Sequence, residues 1–339
     1  MPKIVGEYID QICSTELRPI GNLPRGVAHL LYNAARDKSP DPLSYSMAAA
    51  LLEQVHADDR VLIVTGAGGA PSLPNGEIDG LLGAAAIARA LVLGVGADVR
   101  ILVEQRFVAP VRAVLRAAEL NVLEERDPWR PGSVVVHETP VDDVEAGAFS
   151  YGLLDELAPT AVIGIEKLSP NSQGVIHGAT GNPWHDVHFN PQFLFDAARH
   201  REILTCGIGD AGNEVGFGSV PEVGKIMPEG SLCRCPCQGG MASAVQTDYL
   251  ISAAISDWGA YGLVAMMALM LKRAELVVSA DMVERLLTTA VASGVTCGWY
   301  ARPVLCDDGV PLPAQRAAAT LLETAVQQAM LINAHSPSH

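Results

Sequence analysis

The sequence predicts an α/β fold, a mostly parallel central sheet between helix layers (three-layer αβα), and three observations lead to it. Apolar runs of strand length recur at VLIVTG from residue 61, ADVRILVE to 104, SVVVHE at 133–138, TAVIGIE at 160–166, ILTCGIG at 203–209 and AELVVS at 274–279. The runs are continuous rather than alternating, as expected of strands covered on both faces. Between them lie Ala-rich stretches and Gly-rich turns. The first two runs, joined by the helical GEIDGLLGAAAIARALVLGVG, therefore make a βαβ unit.

The other segments follow from the same patterning. Residues 1–58 carry helical patterns at GVAHLLYNAARDK and SYSMAAALLEQVH, with joints at Pro40 and Pro42, and are expected to pack as helices on the sheet. Residues 59–330 form the α/β core, and 331–339, ending in AHSPSH, read as a loose tail. With no linker or internal repeat, 1–339 is expected to be one domain. The longest apolar stretch, Leu250 to Leu271, has the roughly 20 residues needed to cross a bilayer. Asp257, Trp258, Gly259 and Gly262 interrupt it, so a buried helix, or two helices meeting at a functional turn, is the expectation.

Of the 339 residues 49% are hydrophobic, enough for a large core, and the formal charge is −15, from 38 acidic against 23 basic residues. Nucleic-acid and anionic-membrane binding depend on Lys and Arg, so neither partner is expected. A small anionic substrate is compatible with this charge if local cations or helix N-termini hold it. The first residues carry Glu7, Asp10 and Glu16 in place of a leader's apolar run, and the seven cysteines are an odd number. The expected setting is the cytoplasm with reduced thiols. The oligomeric state, homo-oligomers included, is left open.

Four polar clusters stand after expected strands, at the carboxyl edge where open parallel sheets bind ligands. The first, TGAGGAPSLPNGEIDGLLGA, places Glu77 and Asp79 at a helix start, where acidic residues also serve the helix dipole. Its glycines lack G-x-G-x-x-G spacing and a Walker lysine, so no nucleotide cofactor is expected. The second, VIGIEKLSPNSQGVIHG, ends an apolar strand on Glu166, which needs a metal, a cation such as Lys167 or a substrate group; Asn171 lies in a turn and His177 follows it. The third, CGIGDAGNEVGFGSV, sets Asp210, Asn213 and Glu214 among glycines and is the clearest ligand loop. The fourth places Asp248, Ser256, Asp257 and Trp258 in apolar surroundings, where capping and core packing account for them as well. Cys233, Cys235 and Cys237 in CRCPCQGG lack the separated C-x-x-C pairs of zinc sites and read as a thiol-bearing loop. A hard divalent cation, Mn, Mg or Ca, held by Glu166, Asp210 and Glu214 suits carboxylate donors better.

These residues carry a resemblance. Thr65-Gly66 with E-x-D-G-x-x-G-A from Glu77, G-I-E-K from Gly164 with Asn171, Gly174 and His177, G-I-G-D-x-G-N-E-x-G-x-G from Gly207 to Gly218, and Asp248 followed by S-D-W-G-A-Y from Ser256 resemble the D-glutamate cyclase family, from about residue 18 to about 325. Where that family has Arg, Gly and Asn, this chain has Lys167, Ala211 and Asp257, and Cys297-Gly298 stands for a D-G pair that Asp308-Gly309 retains. A carboxylate in place of an amide changes which ligand groups a pocket accepts.

The resemblance implies a lyase that removes water from D-glutamate, or a related amino acid, to give 5-oxo-D-proline. Glu166 or Glu214 is then the expected base toward the amine, and His177 or protonated Asp210 the acid toward the departing oxygen. Backbone N–H groups of Gly66 and Gly209 to Gly212, with Asn171 and Asn213, are expected to hold substrate carboxylates. Thr65, Glu77, Asp79, Asp248, Ser256, Asp257 and Trp258 complete the expected substrate site. Two alternatives stay open: a metal-dependent hydrolase or phosphatase using the carboxylates as ligands, and a non-catalytic metabolite-binding homologue.

Overall fold

A computed structural model describes all residues except 20–22, 24, 126, 128, 228–232 and 336–339. In chain order its elements are α1 (Pro2–Cys13), α2 (Val27–Arg36), α3 (Leu43–Gln54), β1 (Arg60–Gly66), α4 (Asp79–Arg89), β2 (Asp98–Glu104), α5 (Gln105–Ala117), β3 (Asn121–Leu123) and β4 (Ser133–Thr139). There follow α6 (Asp143–Leu157), β5 (Ala161–Lys167), α7 (Gln192–His200), β6 (Leu204–Gly209), α8 (Val223–Ile226), β7 (Tyr249–Ser252), α9 (Ser256–Leu271), α10 (Ala280–Ala292), β8 (Cys306–Asp307), β9 (Val310–Pro311) and α11 (Leu312–His335). Strands β1 to β7 form a parallel sheet in the order β3-β4-β2-β1-β5-β6-β7, and β8 and β9 form a small antiparallel hairpin.

Alternate residues of the central strands β1, β2 and β5 enter different cores, which is why those runs are apolar throughout. Val61 and Ile63 of β1 join the larger core with Leu81, Ile87, Val111, Leu263 and Val264 from α4, α5 and α9. Leu62 and Val64 join a second core with Leu153, Leu154, Leu194 and Phe195 from α6 and α7. The three-layer arrangement is thus as expected. The larger core also takes Ile9, Leu31 and Met47 from α1, α2 and α3, so the N-terminal helices lie against this side.

Several expectations are corrected. AELVVS is not a strand: Ala274–Leu276 is a 3-10 turn, and Ser279 caps α10 by accepting the Met282 N–H at 3.2 Å. Leu276, Val277 and Val278 are buried, so packing rather than sheet pairing explains that run. The 250–271 stretch divides into strand β7 and helix α9, whose residues from Ser256 to Leu269 are all buried. Among the described residues no helix is long and apolar enough to cross a membrane. Residues 331–335, expected as loose tail, belong to α11, while 336–339 lie outside the described residues.

The loop after β6 folds back so tightly on its own strand that a Cβ on Gly207 would run into the Val215 backbone and lie 3.0 Å from Gly216 Cα. Gly207→Ala is expected to cost about 1–3 kcal/mol in urea unfolding, because backbone must shift to make room. Gly152→Ala in α6, where the added Cβ meets nothing within 4 Å, serves as control. It is expected to gain up to about 1 kcal/mol from helix propensity.

Candidate functional site

The chain runs from β1 to one side of the sheet and returns through β5 on the other. The carboxyl ends of β1 and β5 are therefore a topological switch point, where such sheets leave a crevice. A cavity of about 290 Å³ opens there, lined by Glu77, Glu166, Asp210, Asn213, Asp308 and Arg18, with Trp184 and Trp299 in its walls. Its size falls at the small end of the ~300–1,000 Å³ typical of ligand pockets, suiting a metabolite the size of an amino acid.

Each carboxylate is placed by a local device. The β1–β5 register slips at Thr65 and Gly66, and Glu166 takes a left-handed φ of 40°. Glu166 and Lys167 consequently diverge more than the pleat alone requires. Glu166 accepts the Ser256 hydroxyl at 2.5 Å at the start of α9. Lys167 is fully buried and pairs with Glu104, which also meets His188 at 3.1 Å. Lys167 is thus not the partner of Glu166 that the sequence allowed.

The loop after β6 is clamped from inside. Glu214 accepts the N–H groups of Asp210 at 3.2 Å, Ala211 at 2.9 Å and Gly212 at 2.8 Å, with Gly212 at φ 93°. Those N–H groups, expected to hold substrate, are already occupied. Asn213 donates its amide to the His177 carbonyl at 2.8 Å. From α4 comes Asp79, which accepts the Gly80 N–H at 2.9 Å, and just before it Glu77, packed against Gly298. Arg18, in the N-terminal segment, reaches Asp308 at 2.9 Å and Asp210 at 3.5 Å. Asp210 Oδ2 has no hydrogen-bond partner among the described residues.

Oxygens of Glu166, Asp210 and Glu214 lie within 4.8 Å of one another, and so do those of Glu77, Asp79 and Glu166. Buried so close, these acids are pushed toward their protonated forms. Burial, then Asp308, raises Glu77 to about 8. Burial, then Asp79, lifts Glu166 well above the carboxylate range, and burial, then Glu77, does so for Asp79. Asp210 is also held high by burial, although Arg18 pulls against it. Glu214 is raised by burial against its three backbone donors. Among the described lining residues Arg18 alone carries a fixed positive charge. Burial opposes that charge, but Asp210 and Asp308 outweigh it.

The structure thus assembles Glu77, Asp79, Glu166, Asp210, Asn213 and Glu214, with Thr65, Gly209, Gly212 and Ser256 directly around them, while Gly66 faces Phe107 and Glu104. Others are elsewhere. Asp248 precedes β7, at the amino edge of the sheet, where its carboxylate takes the Thr205 N–H at 2.9 Å and hydroxyl at 2.7 Å. His177 turns its ring from the carboxylates: Nδ1 meets the Val175 carbonyl at 3.0 Å and Nε2 meets Cys235 Sγ at 3.3 Å. Burial lowers its pKa, so the ring is neutral at neutral pH. Neither nitrogen is left to act as the acid. Asn171 donates to the Gly240 carbonyl at 2.7 Å and organises a turn. Trp258 is core, bonded through its indole N–H to Gln315. Asp257 lies behind the cavity beside Tyr261 and Asp307, raised to about 7 by burial with Tyr261 partly opposing.

Sequence reasoning missed Arg18 and Trp184 and left Asp308 out of the site. Asp308 had a signal in its retained D-G pair. Arg18 had none, since nothing in its neighbourhood marks a residue that acts 290 positions away on Asp308.

Switch-point cavity and Gly-rich acidic loops together define an α/β protein with a carboxylate-lined cavity at the carboxyl edge of its sheet. The sequence model for the family described as D-glutamate cyclase-like, C-terminal, matches residues 17–323, and the chain belongs to that family. It is 28% identical over 251 residues to the human protein named D-glutamate cyclase, mitochondrial, a match covering 70% of this chain and 35% of that one. The chain thus spans about a third of the length of that relative.

A measurable consequence follows from acids whose folded pKa is raised. Glu77 and Asp257 keep their protons in the fold to about pH 8 and 7, whereas in the unfolded chain they lose them near pH 4.5 and 3.8. Their stabilising effect is complete below the unfolded values and is lost as pH rises, at about 1.4 kcal/mol per pH unit per proton of difference. The melting temperature of the ligand-free protein is expected to fall between pH 5 and 8, and Glu77→Gln to flatten that fall.

Proposed function

We propose that this chain is a D-glutamate cyclase-like lyase, removing water from D-glutamate or a related amino acid to give 5-oxo-D-proline. The observation that carries the reading is a cavity of amino-acid size in which one guanidinium faces buried carboxyl groups pushed toward their protonated forms. Arg18 is suited to the substrate α-carboxylate, and protonated side chains to the γ-carboxylate, which must be neutralised before a nitrogen attacks it.

With Glu214 locked by its own loop and His177 turned away, Glu166 remains as base toward the amine and Asp210 as acid toward the leaving oxygen. Glu166 passes its proton to the γ-carboxylate and, thus ionised, takes one from the substrate ammonium, and the freed nitrogen bonds to the γ-carbon. A C–O bond then breaks. The two protons given up by nitrogen leave with that oxygen as water, one of them through Asp210. Holding the substrate curled between Arg18 and these acids supplies the proximity that ring closure needs.

The oxygen donors, among them Asp210 Oδ2, which meets Arg18 at 3.5 Å but accepts no hydrogen bond from the described residues, also fit a hard cation such as Mn, Mg or Ca on Glu166, Asp210 and Glu214. Bound there, it would neutralise the γ-carboxylate in place of a proton. One observation favours the hydrolase as second reading: the two carboxylate triads share Glu166, as bridged two-metal sites do.

Incubation with D- or L-glutamate, with and without Mn or EDTA, followed by chiral chromatography, is expected to show 5-oxo-D-proline from the D isomer. Glu166→Gln and Asp210→Asn should each lower kcat about 10²–10⁴-fold. Arg18→Met should act mainly on KM. Wild-type rates in both carboxylate variants would remove the assignment, and phosphate-ester hydrolysis abolished by EDTA, without cyclisation, would favour the second reading.

A further inference from the structure

A second cluster lies on the far side of the His177 segment and takes no part in the proposed chemistry. Cys233, Cys235 and Cys237 converge with the His177 ring, their ligand atoms all within 4.8 Å of one another. The separations are 3.4 Å between the sulfurs of Cys233 and Cys237, 3.7 Å between those of Cys233 and Cys235, and 3.3 and 3.8 Å from His177 Nε2 to Cys235 and Cys237. A tetrahedral zinc with bonds of about 2.3 Å to sulfur and 2.0–2.1 Å to nitrogen sets its ligands about 3.8 Å (S to S) and 3.5 Å (S to N) apart. The observed spacings scatter around these values.

We propose that His177, Cys233, Cys235 and Cys237 form a structural zinc site. The outer groups agree with this. His177 Nδ1 faces the Val175 carbonyl, which fixes the proton on that nitrogen and leaves the Nε2 lone pair toward the sulfurs. Cys237 Sγ receives the Gly239 N–H at 3.4 Å and the Asn171 amide at 3.5 Å, donors that favour a thiolate. Alternate cysteines can face one point here because the chain bends at Arg234 and Cys235 and turns at Pro236 and Cys237 instead of running extended. That local geometry is what the expectation of a thiol loop lacked.

Four protein ligands close the coordination sphere, so the site is structural rather than catalytic. His177 and Cys235 are 58 positions apart, and the zinc would staple the cysteine loop to the segment whose Gly178, Thr180 and Trp184 line the cavity. The Arg234 N–H to Gly181 carbonyl bond at 2.8 Å ties the same two segments. Metal binding at such a site adds directly to folding free energy.

The test is elemental analysis of the full chain, expressed with zinc in the medium and purified without chelator. About one zinc per chain is expected, retained in Glu166→Gln and Asp210→Asn and lost in Cys235→Ser and Cys237→Ser. Reduced protein stripped of metal and loaded with cobalt should show thiolate charge-transfer absorption and the visible bands of a tetrahedral site. Zinc should shield these three thiols, and not Cys13 or Cys206, from alkylation read by mass spectrometry. The last two readouts need only wild-type protein, so a variant that fails to fold does not undo the test. Folded, reduced protein that takes up neither metal, a Cys233–Cys237 disulfide in protein purified under reducing conditions, or zinc retained in both cysteine variants would each overturn the proposal.

Discussion

Everything at the switch point depends on how the fold tolerates Glu77, Asp79, Glu166, Asp210 and Glu214 crowded in a space poor in cations. Buried carboxylates cannot all remain ionised at such separations, because the desolvation and repulsion exceed what a packed core can offset. Two devices resolve this: protons stay on the acids, and Arg18 bridges Asp210 and Asp308. Arg18 comes from the segment after α1, Asp210 from the end of β6 and Asp308 from the β8–β9 hairpin. The cavity therefore needs the N-terminal helices, the sheet and the C-terminal hairpin at once. The same crowding raises Glu77 to about 8, close enough to neutrality for a group to accept and release protons.

How much of this could be read from the chain follows from the range of each interaction. The sheet was legible because its strands are apolar on both faces, a property of each segment alone. The Gly-rich loop from Gly207 was legible because Asp210, Asn213 and Glu214 crowd one short stretch. Even so its meaning changed on folding. The backbone N–H groups that a free nest would offer to substrate are taken by Glu214, four residues or fewer away. Arg18 and the Cys233 loop depend on partners distant in sequence, and Asp248 was misplaced because β7, whose start it precedes, lies in a stretch expected to be helical. Short β3, with three residues, carried too little pattern to show.

The departures from the family pattern look different once located. Ala211 gives its N–H to Glu214, lines the cavity and has no positive φ, so the Cβ does not strain the loop. Lys167 faces Glu104 on the other side of the sheet, Asp257 lies behind the cavity, and Cys297 packs against Cys306 at 3.6 Å. Gly298, beside it, is the residue that matters to the cavity, because a Cβ there would meet Glu77 and Asp308. The changes that suggested a different substrate thus fall mostly outside the space a substrate would occupy.

His177 brings the two clusters into one mechanical unit. Its carbonyl receives the Asn213 amide from the ligand loop, while its ring turns to the three thiols. A histidine in that motif reads naturally as an acid, but a ring whose nitrogens are both engaged is a support. The rigidity it lends is of a kind the cavity requires: Glu166 and Asp210, with oxygens within 4.8 Å of each other, border one small space, and sub-ångström placement decides whether a nitrogen and a carboxyl carbon meet. Loops alone hold such positions poorly. A segment pinned at its backbone on one side and at its imidazole on the other holds them well.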